Sequence, residues 1–450
     1  MSSQKKLVVI GGDAAGMSAA SKVRRTQKER PIVVFERGTH TSYAACGIPY
    51  YIAGEVKKAD DLIARKPEIF REKHNIDVRI RHEVIAIEVE NRRVRVKNLD
   101  NGNEFFESYD NLLIATGASP LKPNLPGLDA KGVFGLSTLQ TGIDVYEDIR
   151  RHAPEKAVVA GGGYIGIEMA EALLARGMKV SLIDMAPQVM PTMDGDMASM
   201  ISEFMEEEGV HIHLEERLER IETDSGGRVS AVVTDKQSLD ADLVIAGLGV
   251  RPNSELAKDA GIALGAGSAI SVTRKMETSV PGIWAAGDCA ESNHIITGEK
   301  VFIALGTVAN KHGLIAGTNI SGGNKQFPGV LGTAITKFHN MEIARTGLSE
   351  KEAKSRNYSY SSAKIEARTR SGYFPGSSPI TVKLVSDEQT GRLLGGQIVG
   401  MAGAGKRIDT IAASITAGLT AQDLMDMDLS YAPPFSPVWD PVQIAARKLA

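Results

Sequence analysis

The sequence predicts an α/β protein with two Rossmann-like dinucleotide-binding domains and a C-terminal α+β domain. Two observations carry the first part. A glycine-rich turn joins a short apolar strand to a helix near residue 11, and the same arrangement returns near residue 161, each copy followed by a strand that ends in an acidic residue. A third observation carries the rest: residues 326–450 read as a separate unit, with strands over 380–385 and 393–399 around an Asp-Glu-Gln-Thr-Gly turn and an apolar helix over 408–419.

In the first copy, Leu7-Val8-Val9-Ile10 is short, apolar and β-branched, the pattern of a buried parallel strand. Gly11-Gly12-Asp13-Ala14-Ala15-Gly16 follows, then an amphipathic helix to about Gln27. The next strand, over 32–35, ends at Glu36, 25 positions after Gly11. This is the βαβ dinucleotide fingerprint. Its turn aims backbone N–H groups and a helix N-terminus at a pyrophosphate, and its acidic residue accepts hydrogen bonds from ribose hydroxyls. One position departs. Asp13 stands where a glycine belongs, and a carboxylate beside a pyrophosphate is repulsive unless its side chain points away.

The second copy has Ala157-Val158-Val159-Ala160, then the complete turn Gly161-Gly162-Gly163-Tyr164-Ile165-Gly166, then a helix with Glu168 and Glu171 in its early turns. A strand over 179–183 ends at Asp184, 23 residues after Gly161. One glycine turn can arise by chance inside an ordinary α/β core. Two, each with its acidic residue, are far more specific. A carboxylate at Asp184 favours a ribose 2′-hydroxyl and repels a 2′-phosphate, which predicts NADH, with NADPH as the alternative.

Composition narrows the function class. The chain has 450 residues, 52 basic against 55 acidic, for a net charge of −3. That balance gives no electrostatic case for nucleic acid or a membrane surface. No apolar run approaches the ~20 residues of a membrane span. The two lysines at the start precede only four apolar residues and then glycines, the pattern of a strand and not a signal peptide. Two cysteines cannot build a disulfide framework, so a reducing, cytoplasmic setting is expected. His211 and His213 share a strand face without a visible third ligand, so no metal site is expected.

Three more segments extend the pattern. Leu112-Leu113-Ile114-Ala115-Thr116-Gly117-Ala118-Ser119-Pro120 looks like a strand leaving an FAD domain. Leu243-Val244-Ile245-Ala246-Gly247-Leu248-Gly249-Val250-Arg251-Pro252-Asn253 looks like the return. Ile283-Trp284-Ala285-Ala286-Gly287-Asp288 resembles the second FAD motif, where the Asp binds the ribityl chain. Along its full length the chain resembles the pyridine nucleotide–disulfide oxidoreductases. The resemblance implies a discontinuous FAD domain at 1–118 and 246–325, an NAD(P)H domain at 119–245 and a dimerisation domain at 326–450, hence a homodimer. It implies FAD contacts at Gly11, Ala14, Ala15, Gly16, Glu36, Arg37, Ser42, Ala115, Thr116, Gly117 and Asp288. It implies nucleotide contacts at Gly161, Gly163, Tyr164, Ile165, Gly166 and Asp184.

Cys46, in Ser42-Tyr43-Ala44-Ala45-Cys46-Gly47-Ile48-Pro49-Tyr50-Tyr51, is the candidate redox group. Dithiol members of the family carry a second cysteine five residues on, and here that position is Tyr51. The match is to the single-cysteine branch: coenzyme A disulfide reductases, NADH-dependent persulfide or polysulfide reductases, and NADH oxidases and peroxidases. The oxidases and peroxidases carry a catalytic His in the first glycine turn, where this chain has Ala14. The segments Ser371-Gly372-Tyr373-Phe374-Pro375-Gly376 and Asp428-Leu429-Ser430-Tyr431-Ala432-Pro433-Pro434-Phe435 resemble coenzyme A disulfide reductases. There the tyrosines matching Tyr373 and Tyr431 come from the partner subunit and point at the active-site sulfur. Ala45 replaces an Asn that contributes to coenzyme A recognition in many members, which leaves the preferred sulfur substrate open. Lys22, Arg24, Arg25 and Ser42 correspond to the coenzyme A-binding region; a solvated helix face is the other reading of the three cations. Some members add a rhodanese domain, and none is expected after Ala450.

The expected chemistry is an FAD-dependent electron transfer from NAD(P)H to a sulfur on Cys46, held as a mixed disulfide with coenzyme A. An unperturbed thiol of pKa about 8.5 is mostly protonated near neutrality. The expectation is that Cys46 opens a helix whose N-terminus favours the thiolate, with Tyr373 and Tyr431 able to protonate the leaving thiolate. Two other readings are an NADH oxidase or peroxidase working through a Cys sulfenate, and a flavoprotein redox sensor of low turnover. Cys289, directly after Asp288, reads as a small structural residue.

Overall fold

The computed structural model describes residues 5–450. The first residues, on which part of the signal-peptide reading falls, lie outside that range. The described residues form two compact units. One holds the chain up to Pro123, Gly135–His152 and Leu248–Val330; the other holds Asn124–Phe134, Ala153–Gly247 and Leu331–Ala450.

In the first unit, strand β1 (Leu7–Ile10), helix α1 (Ala14–Thr26) and strand β2 (Ile32–Glu36) form the expected βαβ unit. β1 is fully apolar and buried, because a central parallel strand is covered on both faces. The parallel sheet runs Ile283–Ala285, Asn111–Ile114, β1, β2, Asp77–Ile80. The helix Gly306–Ile320 lies unusually close to α1. A Cβ placed on Gly313 would sit 2.3 Å from the Ala15 carbonyl oxygen, so glycine there permits the approach. A three-stranded antiparallel meander (His82–Glu88, Arg93–Asn98, Glu104–Ser108) fills the gap before the fourth strand. The chain's exit and return are zipped together where Ala118–Pro120 pairs antiparallel with Val250–Pro252.

The second unit repeats this plan. Its parallel sheet runs Val210–Leu214, Lys179–Asp184, Lys156–Ala160, Leu243–Ala246, Val133–Phe134, again with a meander (Leu218–Thr223, Val229–Thr234, Ser238–Asp240) before the fourth strand. The repeat inferred from two glycine turns thus extends through the four principal strands and the meander. The same unit carries a five-stranded antiparallel sheet, in the order Ala334–Phe338, Met341–Gly347, Leu393–Gly400, Pro379–Asp387, Tyr360–Arg368, with the helix Ile408–Thr416 packed on it.

The segments 119–245 and 326–450, expected as two domains, fall mostly in this second unit, and the range ends shift by a few residues. Helix α3 (Leu139–His152) falls in the first unit, although its sequence position is inside the segment 119–245. The reason is packing against helix α2 (Ile48–Ala53): a Cβ on Gly142 would sit 2.4 Å from the Ile48 side chain, and the Tyr51 and Tyr146 rings lie 4.8 Å apart.

Candidate active site

The first glycine turn is as tight as a backbone permits. Gly11 has φ +107°, a conformation L side chains rarely adopt, and a Cβ there would lie 2.1 Å from the Ala115 carbonyl oxygen. A Cβ on Gly16 would lie 2.0 Å from the Gly11 carbonyl oxygen. The first N–H groups of α1, starting at Ala14 and Ala15, have no partner within the helix and are oriented for a phosphate. Glu36 accepts hydrogen bonds from the Gly12 N–H at 2.7 Å and the Gly38 N–H at 2.6 Å. A carboxylate has about four lone-pair sites, so Glu36 keeps capacity for ribose hydroxyls. Arg37 beside it is exposed.

On the adjacent strand end, the Thr116 hydroxyl donates to the Asn253 carbonyl at 2.6 Å, the Asn253 amide donates back to the Thr116 carbonyl at 2.8 Å, and the Asn253 N–H donates to the Gly117 carbonyl at 2.9 Å. Asn253 closes the Ala115–Gly117 corner, a role its motif did not announce. Asp288 supplies the test of fit for a flavin. Its Oδ1 is buried without a hydrogen-bond partner, and burial pushes the carboxyl up to about 6. A buried acceptor left without a donor is costly, and a ribityl hydroxyl of FAD would supply one, so the residue present fits the group. Next to it, the Cys289 thiol is buried and donates to the Ile114 carbonyl at 3.5 Å, which is the structural role expected.

Asp13 answers the conflict raised by the sequence. Its side chain makes no helix-capping bond and accepts the Tyr43 N–H at 3.2 Å, with the Ala14 N–H also acting on the carboxylate. Burial, with Glu36 and Asp288 adding negative charge, pushes its carboxyl up to about 6. Tyr43 belongs to the segment that leads to Cys46. That segment is held again where the Ser42 N–H donates to the Gly12 carbonyl at 3.1 Å, and Ser42 itself sits at φ +49°.

Cys46 is exposed and lies in a short 3-10 turn, Ala45–Gly47. The α-helix begins two residues later at Ile48, with Pro49 in its first turn and only six residues in all. The expected helix N-terminus is present, but Cys46 precedes it rather than opening it. Tyr51 is buried against Tyr146, so the place of a second thiol is filled by core packing. Of the three cations on α1, Arg24 is engaged in closing its own helix: the guanidinium donates to the Asn75 carbonyl at 2.6 Å and to the Lys28 carbonyl. Lys22 and Arg25 on the same helix are half-buried and exposed respectively.

The second unit builds the same device again. Gly161 has φ +109° and a Cβ there would lie 2.3 Å from the Gly247 carbonyl oxygen; around Gly163 there is open space within 4 Å. Asp184 repeats the geometry of Glu36, accepting the Gly162 N–H at 2.6 Å and the Ala186 N–H at 2.8 Å. Tyr164 and Ile165 open the following helix, half-buried, ahead of Gly166. Met185, directly after Asp184, is 76 % exposed. Elsewhere in this unit, Tyr373 is 79 % exposed and Tyr431 46 % exposed, with Phe435, Val438 and Trp439 also exposed. Their two segments are brought together: the Ser371 N–H donates to the Pro433 carbonyl at 3.3 Å, and Arg407, paired with Asp440 at 2.8 Å, donates to the carbonyls of Thr369 and Phe435. Among the described residues no group of three metal-ligating side chains exists, and no helix is long and apolar enough to cross a membrane.

This architecture is that of a pyridine nucleotide-disulphide oxidoreductase, and the chain belongs to that family: the family model matches residues 5–314, and the model of its dimerisation domain matches residues 333–441. As a member it is a flavoprotein oxidoreductase that uses FAD and NAD(P)H. The NAD(P)H coenzyme A polysulfide/persulfide reductase of Pyrococcus horikoshii is 44% identical over 447 residues, 99% of this chain and 98% of that one. An NADH oxidase of Methanocaldococcus jannaschii is 39% identical, covering 98% of each. The crystal structure of reduced Bacillus anthracis CoADR-RHD superposes with a TM-score of 0.96 at 36% identity, over 99% of this chain and 80% of that one.

Proposed function

We propose that this protein reduces coenzyme A disulfide, coenzyme A persulfide or polysulfide with electrons from NAD(P)H, through Cys46 alone. The observation that carries the reading is an exposed thiol whose segment is hydrogen-bonded to the FAD-type glycine turn, with Tyr51 buried in the core where a second thiol would stand. A single protein sulfur requires that the other sulfur of each disulfide come from the substrate.

The Cys46 thiolate attacks one sulfur of the substrate disulfide. The S–S bond breaks, one thiolate leaves and takes a proton, and Cys46 holds the other half as a mixed disulfide. FAD supplies the relay of an electron pair from the nicotinamide to that sulfur. The second thiol then leaves and the Cys46 thiolate is restored, so one NADH and one proton convert one disulfide to two thiols. Lys22, Arg24 and Arg25 offer cationic contacts for coenzyme A phosphates, and Ser42 borders the site. Tyr373 and Tyr431 are contributed across the homodimer and hydrogen-bond or protonate the leaving thiolate. Their exposure, with Phe435 and Trp439, fits a surface that a second copy covers. Two cysteines without a disulfide between them fit a reducing, cytoplasmic setting.

The test is NADH consumption with coenzyme A disulfide, coenzyme A persulfide, polysulfide and oxygen supplied separately. Sulfur-dependent turnover is expected, and loss of a nucleophile predicts a fall of at least about 10³-fold in Cys46→Ser. Intact mass should show a reductant-labile adduct on Cys46. Oxygen consumption with NADH alone, equal to the sulfur rate, would favour the oxidase reading instead.

A further inference from the structure

The glycine turn and the redox segment meet through a residue the fingerprint does not call for. Two successive amides of that segment donate to two successive residues of the turn: Ser42 N–H to the Gly12 carbonyl at 3.1 Å, and Tyr43 N–H to the Asp13 carboxylate at 3.2 Å. With glycine at position 13, the usual residue of the fingerprint, the Tyr43 N–H would lose this acceptor. On its other side the segment is tied to the 62–64 strand-like stretch, by Ala44 N–H to the Leu62 carbonyl and Ala64 N–H to the Ser42 carbonyl, both at 2.8 Å. Ser42 is held between these anchors at φ +49°, a strained conformation for a residue with a Cβ. Loss of one anchor is expected to loosen this segment, in which Cys46 lies four residues after Ser42. The position is a poor one for a carboxylate on any other ground. Glu36 and Asp288 face the same side chain, and the pyrophosphate of a bound dinucleotide adds a third source of negative charge.

We propose that Asp13 is a positioning residue for Cys46: its carboxylate oxygen fixes the Ser42–Cys46 segment on the flavin turn, at the expense of weaker FAD binding. The inference rests on Cys46 being the redox group, but its geometric half does not, since the Tyr43 amide reports it directly. Two variants of the FAD-loaded protein separate acceptor from charge. Asp13→Gly removes the acceptor and restores the ordinary fingerprint; Asp13→Asn keeps an acceptor oxygen and removes the charge.

In Asp13→Gly, hydrogen exchange at the Tyr43 amide is expected to quicken about tenfold, equivalent to ~1.4 kcal/mol and in the range of one buried hydrogen bond. Sulfur-dependent kcat should fall by a similar factor, with the KM for NADH and the rate of flavin reduction by NADH unchanged, and FAD should dissociate more slowly. Asp13→Asn should restore exchange and kcat to within about twofold of the parent while also retaining FAD more tightly. Opposite signs in cofactor retention and kcat are what a merely structural residue would not give. Unchanged Tyr43 exchange in Asp13→Gly overturns the proposal, as does an Asp13→Asn protein as impaired as Asp13→Gly. Full turnover in Cys46→Ser would instead remove the redox role of Cys46 and leave the exchange result standing.

Discussion

Two glycines at equivalent places in the repeat allow the two nucleotide sites to be broken one at a time. Gly161 and Gly11 have φ +109° and +107°, and a methyl group on either would meet a carbonyl oxygen at 2.3 Å or 2.1 Å. Ordinary contact begins roughly 1 Å further out, and a misplacement of ~1 Å in a positioning element can lower a rate by ~10²-fold. A non-glycine residue in such a conformation costs about 1–3 kcal/mol, and overpacking adds about 1–3 kcal/mol. If about 2 kcal/mol of this is relieved by shifting the turn away from the phosphate, affinity falls about thirtyfold. Gly161→Ala should therefore retain FAD at the parent ratio and bleach with dithionite, yet bind NADH at least about thirtyfold more weakly. Gly11→Ala should be purified largely without FAD. The assay is flavin absorbance per chain, followed by rapid-mixing flavin reduction over a range of NADH concentrations. A Gly161→Ala protein that loses FAD while Gly11→Ala keeps it would reverse the assignment of the two turns. Unchanged NADH affinity in Gly161→Ala would refute the second turn as a nucleotide site.

At the proposed nucleotide site, Asp184 and Met185 are the positions expected to set the choice between NADH and NADPH. Asp184 is fixed by two backbone N–H groups and Met185 is exposed beside it, so Asp184→Ala with Met185→Arg should raise the NADPH-to-NADH ratio of kcat/KM at least about tenfold; no rise would remove the argument. His312 provides a pH signature. It is buried, accepts or donates one hydrogen bond with the Ser292 hydroxyl at 3.1 Å, packs edge-on against Phe327 and has no partner at Nδ1. Burial, with Lys300 adding to it, holds the imidazole down to about 4. The unfolded chain then binds more protons than the native one between about pH 6.5 and 4, so stability is lost as pH falls through that window, by up to ~3 kcal/mol at ~1.4 kcal/mol per unit. His312→Phe should lower stability modestly at pH 7 and flatten this acid limb in denaturant titrations; an unchanged slope would show that other groups produce it.

What the sequence disclosed and what it withheld divide along the range of the interaction. A tight turn demands glycine at Gly11 and Gly161 whatever surrounds it, and a doubly covered strand such as Leu7–Ile10 must be apolar at every position, so both repeats were legible from a few residues each. The strand Tyr360–Arg368 was not, because one side faces outward and its polar residues hide the pattern. The strand over 380–385 was legible, but not the burial of its Lys383, whose charge is held at 5 % side-chain exposure by Asp194, Asp196 and Glu350; no local rule predicts partners so distant in sequence. Where helix Leu139–His152 packs was not legible for the same reason, since Ile48 and Tyr51 decide it. At the site, the tight turns around Gly11 and Gly161 were legible, whereas the carbonyl partners of Arg24 at Lys28 and Asn75 are invisible in a list of cations. Asp13 lies between these cases. The sequence showed only that it violates the fingerprint, and a violated local rule marks a position where some other demand prevails. The Tyr43 N–H is the group bonded to its carboxylate, and it belongs to the segment that carries Cys46, the thiol proposed to do the redox chemistry.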